Sequence, residues 1–255
     1  MTSLAWGVRD SLTMIGRSLR HLPRNLESLL MAVILPVLLM LLFVYVFGGA
    51  INVGTAYVTY VVPGIILLCA GFGASMTAVS VATDMTNGVI DRFRTLPILS
   101  SAVLTGHVVA SLVRNAISTA LVLGVAYLAG FRPNAAPLEW VAAIGVLALF
   151  VAAISWLAVC LGLLARTPDA ASGYTFGFAF LPYVSSAFVP PETMPAVLRG
   201  FAEHQPITPV IETTRGLLTG TGIGMSLWLS LAWFGGLTLA CAVWAAWLFR
   251  RRTAR

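Results

Sequence analysis

Lysine is absent from this 255-residue chain, and charge of either sign is scarce: 9% of residues are charged, against about 25% in an ordinary soluble domain. Without lysine there is no Gly-x-x-x-x-Gly-Lys-Ser/Thr loop, so the chain has no phosphate-cradling ATP site of that kind. Acids number nine, and none lies away from the ends of an apolar run. A proton-coupled transporter needs a titratable carboxylate at membrane depth, so this absence argues against secondary transport. Cys69, Cys160 and Cys241 each fall inside an apolar run and read as small buried hydrophobes. His21, His107 and His204 have no metal-ligand spacing with one another or with the cysteines, and no metal site is expected. A membrane-embedded lipid-modifying enzyme would need converging His, Asp, Glu or Ser at one depth, and no compelling set is present.

What the chain has is apolar length. Hydrophobic residues make up 59% of it, and a bilayer core about 30 Å thick takes roughly 20 apolar residues per helix. Runs of that length occupy 28–48, 60–83, 103–130, 138–165, 170–189 and 225–249, which predicts an all-α integral membrane protein with six transmembrane helices in a single domain, 1–255. The third and fourth runs exceed the bilayer thickness and are expected to tilt or protrude. The fifth contains Pro182, which predicts a kink or break. Between the fourth and fifth runs, Thr167, Pro168 and Asp169 read as an N-cap, a first-turn proline and a first-turn acid. No short apolar region leads to a small-residue cleavage site, so the first span is expected to be retained.

The net charge of +6 comes from fifteen arginines in a few clusters, a pattern that points to membrane orientation and not to nucleic acid. Short arginine-bearing loops stay cytoplasmic. That places Arg92, Arg94, Arg166 and Arg250–Arg252 inside, with both termini, and leaves only Arg132, Arg199 and Arg215 outside. Arginine without lysine, with abundant alanine and glycine, fits a GC-rich bacterial genome and a bacterial plasma membrane. In residues 1–27, Val8, Leu12, Ile15, Leu19 and Leu22 share one helical face, while Arg9, Arg17, Arg20 and Arg24 share the opposite one. This is an amphipathic helix on the inner leaflet, its arginines toward anionic lipid head groups or a partner protein. Arg114 is the one ionised group well inside a span; it either reaches the cytoplasmic interface or touches a substrate.

Two connecting segments are informative. In the loop 85–99, Asn87-Gly88 marks a turn and Pro97 ends a short helix whose Val89, Ile90, Phe93 and Leu96 lie on one side, with Asp91, Arg92 and Arg94 elsewhere. Ser100 or Ser101 can then cap the third span. In 190–220, Pro190, Pro191, Pro195, Pro206 and Pro209 forbid one continuous helix. Met194, Val197, Leu198 and Phe201 make one apolar patch, and Val210, Ile211, Leu217 and Leu218 another. A pair of short helices dipping into the outer leaflet accounts for both.

The stretch Gly88-Val89-Ile90-Asp91-Arg92-Phe93-Arg94-Thr95-Leu96-Pro97-Ile98, followed by Gly106, resembles the first-loop signature of ABC type-2 exporter permeases, the daunorubicin/doxorubicin-resistance multidrug efflux group most of all. The resemblance implies that this loop is a coupling helix seated in a cytoplasmic ATPase, with Gly88, Asp91, Arg92, Phe93, Arg94, Leu96 and Pro97 as the coupling residues. It implies two ATPase subunits that hold the ATP and Mg, no cofactor on this chain, and a homodimer or a pair with a paralogous permease. The implied activity is export of a lipophilic drug, lipid or natural product, or of a polysaccharide in some relatives, with re-entrant helices closing the external end. Pro190, Pro191, Met194, Phe201 and Pro206 then belong to that external gate. One departure is that Ser100-Ser101 and His107 stand where the family often has a basic residue.

Phe72, Ser75, Met76, Phe176, Phe180, Tyr183 and Ser186 are suited either to lining a lipophilic pathway or to packing helices. Gly71, Gly73, Gly162, Gly173, Gly177 and Gly235-Gly236 allow close helix approach, and Gly173-x-x-x-Gly177 suggests a packing face, within the chain or across a dimer.

Overall fold

A computed structural model describes residues 26–51, 53–87 and 100–253, and among these every regular element is helical. Helix α1, Leu26–Leu42, contains Pro36 and opens into a π turn, Phe43–Phe47. Helices α2 (Tyr57–Thr86), α3 (Ser100–Leu128) and α4 (Pro137–Leu164) follow. Helix α5, Pro168–Phe180, tightens into a 3-10 turn, Leu181–Val184. Residues 185–190 are irregular and lead into a 3-10 turn, Pro191–Thr193. Two short helices, α6 (Ala196–His204) and α7 (Ile207–Thr219), precede the last helix, α8 (Ser226–Thr253).

Four of the described helices, α2, α3, α4 and α8, are long and apolar enough to cross a bilayer. The apolar part of α1, Val33–Phe47, is shorter than that standard, and α5 has only 13 residues before the break. The fifth apolar run therefore does break at Pro182, which enters the 3-10 turn.

Local chemistry sets the ends. The Thr167 side chain accepts the Ala170 N–H at 3.2 Å, with Pro168 and Asp169 in the first turn, as the sequence predicted. Glu139 reaches back to the Ala136 N–H at 2.6 Å and starts α4. Gly220, at φ +71°, closes α7 in the left-handed region that glycine adopts freely. The α4 C-terminus is capped from α8: the Arg252 guanidinium donates to the carbonyls of Ala165 at 3.1 Å and Leu164 at 3.0 Å. Free carbonyls and the negative end of the helix dipole favour a cation there.

Helix α2 is the axis of the bundle, packed by α1, α3, α4, α5 and α7, while α4 bridges α2 and α8. Small residues allow this. A Cβ on Gly73 would lie 2.5 Å from Asn115 Nδ2, and one on Gly162 would lie 2.6 Å from the Ala78 carbonyl oxygen. Gly235 and Gly236, by contrast, have no such neighbour among the described residues. The bundle has two ends. At the arginine end, α2, α4 and α8 stop and His107 of α3 pairs with Asp84 of α2 at 3.2 Å. At the other end α7 meets the first turns of α2 and α8.

The candidate coupling residues Gly88, Asp91, Arg92, Phe93, Arg94, Leu96 and Pro97 lie outside the described residues, as do Arg9, Arg17, Arg20 and Arg24 of the predicted interfacial helix.

Candidate functional site

Most of α2 is enclosed, but Phe72, Ser75, Met76, Val79, Ser80 and Thr83 are half-buried along one stripe, at helical spacing. Beside this stripe runs α5, joined to it by the Ser75 hydroxyl, which donates to Thr175 Oγ1 at 2.6 Å. Next to Thr175, Phe176 begins a chain of rings: Phe176 to Phe180 at 4.8 Å, Phe180 to Tyr183 at 5.7 Å, Tyr183 to Phe188 at 5.3 Å, and Phe188 to Phe43 at 4.4 Å. Of the seven candidate pathway residues, Phe176, Phe180 and Tyr183 fall in this ring series, Ser75 joins α2 to α5, and Phe72 and Met76 are half-buried on α2 beside Ser75. Phe188 and Phe43, which close the series toward α1, were not foreseen; they come from the far ends of two different runs.

Ser186 departs from that group. It is 1% exposed, and what it offers is its backbone. Residues 184–188 leave helical geometry inside the bundle, so their carbonyls need partners that water does not supply. Three side chains from three elements provide them. Gln205 Nε2 donates to Val184 O at 2.5 Å, Arg215 donates through its terminal nitrogen to Ser186 O at 2.5 Å, and the Tyr57 hydroxyl donates to Phe188 O at 2.9 Å. Arg215 Nε also donates to Tyr60 O at 3.2 Å, and the guanidinium lies 3.8 Å over the Tyr60 ring. Burial lowers the Arg215 proton affinity, while Tyr60 and Glu212 oppose that fall. Beneath this clamp, Ala187 packs so closely on α2 that a Cβ on Gly64 would lie 2.5 Å from the Ala187 Cβ.

The two short helices predicted in 190–220 are present, but only one is turned outward. On α6, Val197, Leu198 and Phe201 are exposed, and Arg199 pairs with Glu203 at 2.7 Å, which raises the Arg199 proton affinity. Met194 precedes this helix, capping the 3-10 turn that follows Pro190, and is half-buried. Pro191 is buried and Pro206 is the half-buried N-cap of α7. The second helix turns its apolar residues into the protein. Val210, Ile211, Leu217 and Leu218 of α7 are buried against α2, α4 and α8. Thr208, Thr213 and Thr214 are buried too: Thr208 donates to Ala202 O at 2.5 Å, and Thr213 lies 3.4 Å from Ser230, whereas Thr214 Oγ1 has no hydrogen-bond partner. Local partners offset the cost of the first two hydroxyls, so the helix packs as core despite a mixed sequence.

A second buried polar group sits near the middle of α3. The Ser155 hydroxyl donates to Ser111 at 2.8 Å, and Asn115 donates to Ser111 O at 2.9 Å. Arg114 adjoins it, fourteen residues from either end of α3 and thus about 21 Å from each. One of its guanidinium nitrogens is sealed from solvent without a hydrogen-bond partner. At that distance the side chain does not reach either end of α3.

An all-helical membrane bundle with a broken fifth element and a hairpin of short helices at one end defines a class of multi-pass permease. The ABC-2 type transporter family matches residues 10–219. Over 98% of its length the chain is 31% identical to 89% of the daunorubicin resistance ABC transporter permease protein DrrB1 of Streptomyces coeruleorubidus. Over 96% of its length it is 25% identical to 89% of the probable doxorubicin resistance ABC transporter permease protein DrrC of Mycobacterium tuberculosis. The chain belongs to the ABC-2 type transporter family, among its daunorubicin/doxorubicin-resistance permeases. It is therefore a multi-pass membrane component of an ABC transporter.

Proposed function

We propose that the chain is the membrane-spanning half of an ATP-driven exporter that carries a lipophilic substrate out of a bacterial cell. The observation that carries this reading is the ring series that runs from Phe176 on α5 through Phe180, Tyr183 and Phe188 to Phe43 in the π turn after α1. Such a series suits a flat or apolar cargo and offers little to a heavily hydroxylated polymer. Two copies, or this chain with a paralogue, enclose the pathway between them. ATP and Mg are held by two ATPase subunits, docked at the arginine end through Gly88, Asp91, Arg92, Phe93, Arg94, Leu96 and Pro97.

In this reading the membrane is crossed six times with both termini cytoplasmic. Helix α1 with its π turn, residues 26–47, is about 33 Å long, which suffices for a span. Helix α5 with its 3-10 turn completes the fifth crossing. The arginine-rich end faces the cytoplasm, as short basic loops do, and Pro190, Pro191, Met194, Phe201 and Pro206 lie at the external gate.

The test is purification of the tagged chain with its genomic neighbours expressed. An ATPase is expected to co-purify, and the reconstituted complex to take up doxorubicin into inverted vesicles only with ATP. Replacing Arg92, Phe93 and Arg94 together by alanine is expected to leave the chain in the membrane and to abolish ATP-dependent uptake. Normal uptake by that variant would refute the coupling assignment.

A further inference from the structure

Resting on the exporter reading, we propose that Arg215 is a positioning residue for transport: it latches residues 184–188 onto α2 and so holds the α7 end of the pathway shut. The segment it holds carries Phe188, the ring that joins the α5 aromatic series to α1. Moving residues 184–188 away from α2 opens the end of that series; holding them closes it.

The way the cation is held suits a contact that must be released. No carboxylate lies within ion-pair distance of Arg215 among the described residues. Its partners are two carbonyls and a ring, at 3.2 Å, 2.5 Å and 3.8 Å. Carbonyls and a ring carry no net charge, so withdrawal of Arg215 strands no buried carboxylate, as parting a buried ion pair would. The three donors Gln205, Arg215 and Tyr57 also come from different elements, so a shift of α7 against α2 withdraws Arg215 while Tyr57 stays with α2.

The seam is also incompletely matched in the closed arrangement. Ser186 Oγ and Gln205 Oε1, both on the clamp, and Thr214 Oγ1, beside Arg215 on α7, are buried without hydrogen-bond partners. Their residues are 1%, 4% and 0% exposed. A permanent joint gains nothing from three unmet polar atoms. A joint that opens does, because those atoms meet water or the polar groups of a passing substrate when it parts.

The experiment uses the full chain in lipid vesicles, with Cys69, Cys160 and Cys241 replaced by alanine and Ser186→Cys as reporter. A membrane-impermeant maleimide is expected to label this reporter slowly. Adding Arg215→Gln is expected to raise the labelling rate about tenfold or more, the factor corresponding to one lost charged hydrogen bond. Tyr57→Phe, which removes only the bond to Phe188, is expected to give a smaller rise. A second reporter, Ser155→Cys in the middle of the bundle, is expected to remain unlabelled throughout. An unchanged rate at Ser186→Cys in the Arg215→Gln chain overturns the proposal. If both reporters react in that chain, Tyr57→Phe decides: a rise confined to Ser186→Cys supports the latch, and no rise overturns it. The readout needs neither ATP nor substrate, so its failure leaves the exporter reading standing. A complex without ATP-dependent uptake would in turn leave the labelling result intact.

Discussion

Gly64 and Ala187 meet where the irregular segment crosses α2, and their contact shows how much a single hydrogen atom decides in this bundle. A Cβ at Gly64 would lie 2.5 Å from the Ala187 Cβ and 2.9 Å from its Cα, so relief requires movement of backbone. Overpacking of this kind costs about 1–3 kcal/mol. Gly145 on α4 has nothing within 4 Å of the same ideal position, and alanine is favoured over glycine inside a helix by about 0.5–1 kcal/mol. Gly64→Ala is therefore expected to lower the thermal unfolding midpoint in detergent, and Gly145→Ala to maintain or raise it. Adding Ala187→Gly to Gly64→Ala is expected to restore only part of the loss, because the Ala187 Cα remains in place. Equal midpoints for the two single variants would remove the close contact from the account. At this scale the sequence was least informative. Gly64 stands in an apolar run like any other glycine, and Tyr57, Gln205 and Arg215 act on carbonyls up to 155 residues away. No local pattern announces that distance.

Among the elements, those legible in the sequence were the ones determined by local rules. The long apolar runs became α2, α3, α4 and α8; Thr167 capped α5; Pro182 broke the fifth run; and prolines divided the segment before the last helix. What was not legible was which face each short helix turns inward. Helix α7 was read from Val210, Ile211, Leu217 and Leu218 as one of two short helices dipping into the outer leaflet; that patch packs on α2, α4 and α8, and polar atoms of α7 find partners on α2, α6 and α8. The last turn of α8 was read correctly as a basic cluster, but its arginines do different things. Arg252 caps α4, whereas Arg251 lies 4.0 Å over Trp247 of its own helix. Arg252→Ala is expected to cost roughly 1–2 kcal/mol and to speed amide hydrogen exchange in the last turn of α4. Arg251→Ala, which removes only a contact within α8, is expected to leave exchange there unchanged. Equal exchange in the two variants would show that the inter-helix cap does not hold the α4 end.

For the whole molecule, the outstanding surface is the outer face of α5. Among the described residues, Gly173 and Gly177 have no heavy atom within 4 Å of an ideal Cβ, so they mediate no packing there. Phe176 and Phe180, on the same side, are 63% and 51% exposed, which a single copy leaves to lipid. Two glycines four residues apart let a second helix approach closely, and the proposed exporter needs a second permease across the pathway. If the α5 faces of two copies meet, the flanking phenylalanines fall between them and line the space they enclose. Gly173→Leu with Gly177→Leu adds bulk to that seam and clashes with nothing in its own chain. The doubly substituted chain is expected to keep its unfolding midpoint and to lose its dimer, measured as mass in detergent by light scattering. Because the pathway is built only when both faces are present, ATP-dependent uptake is expected to fall with the dimer. A variant that stays dimeric and transports normally would mean that α5 faces lipid and that the aromatic series is a packing device, which moves the cargo route away from α2 and α5.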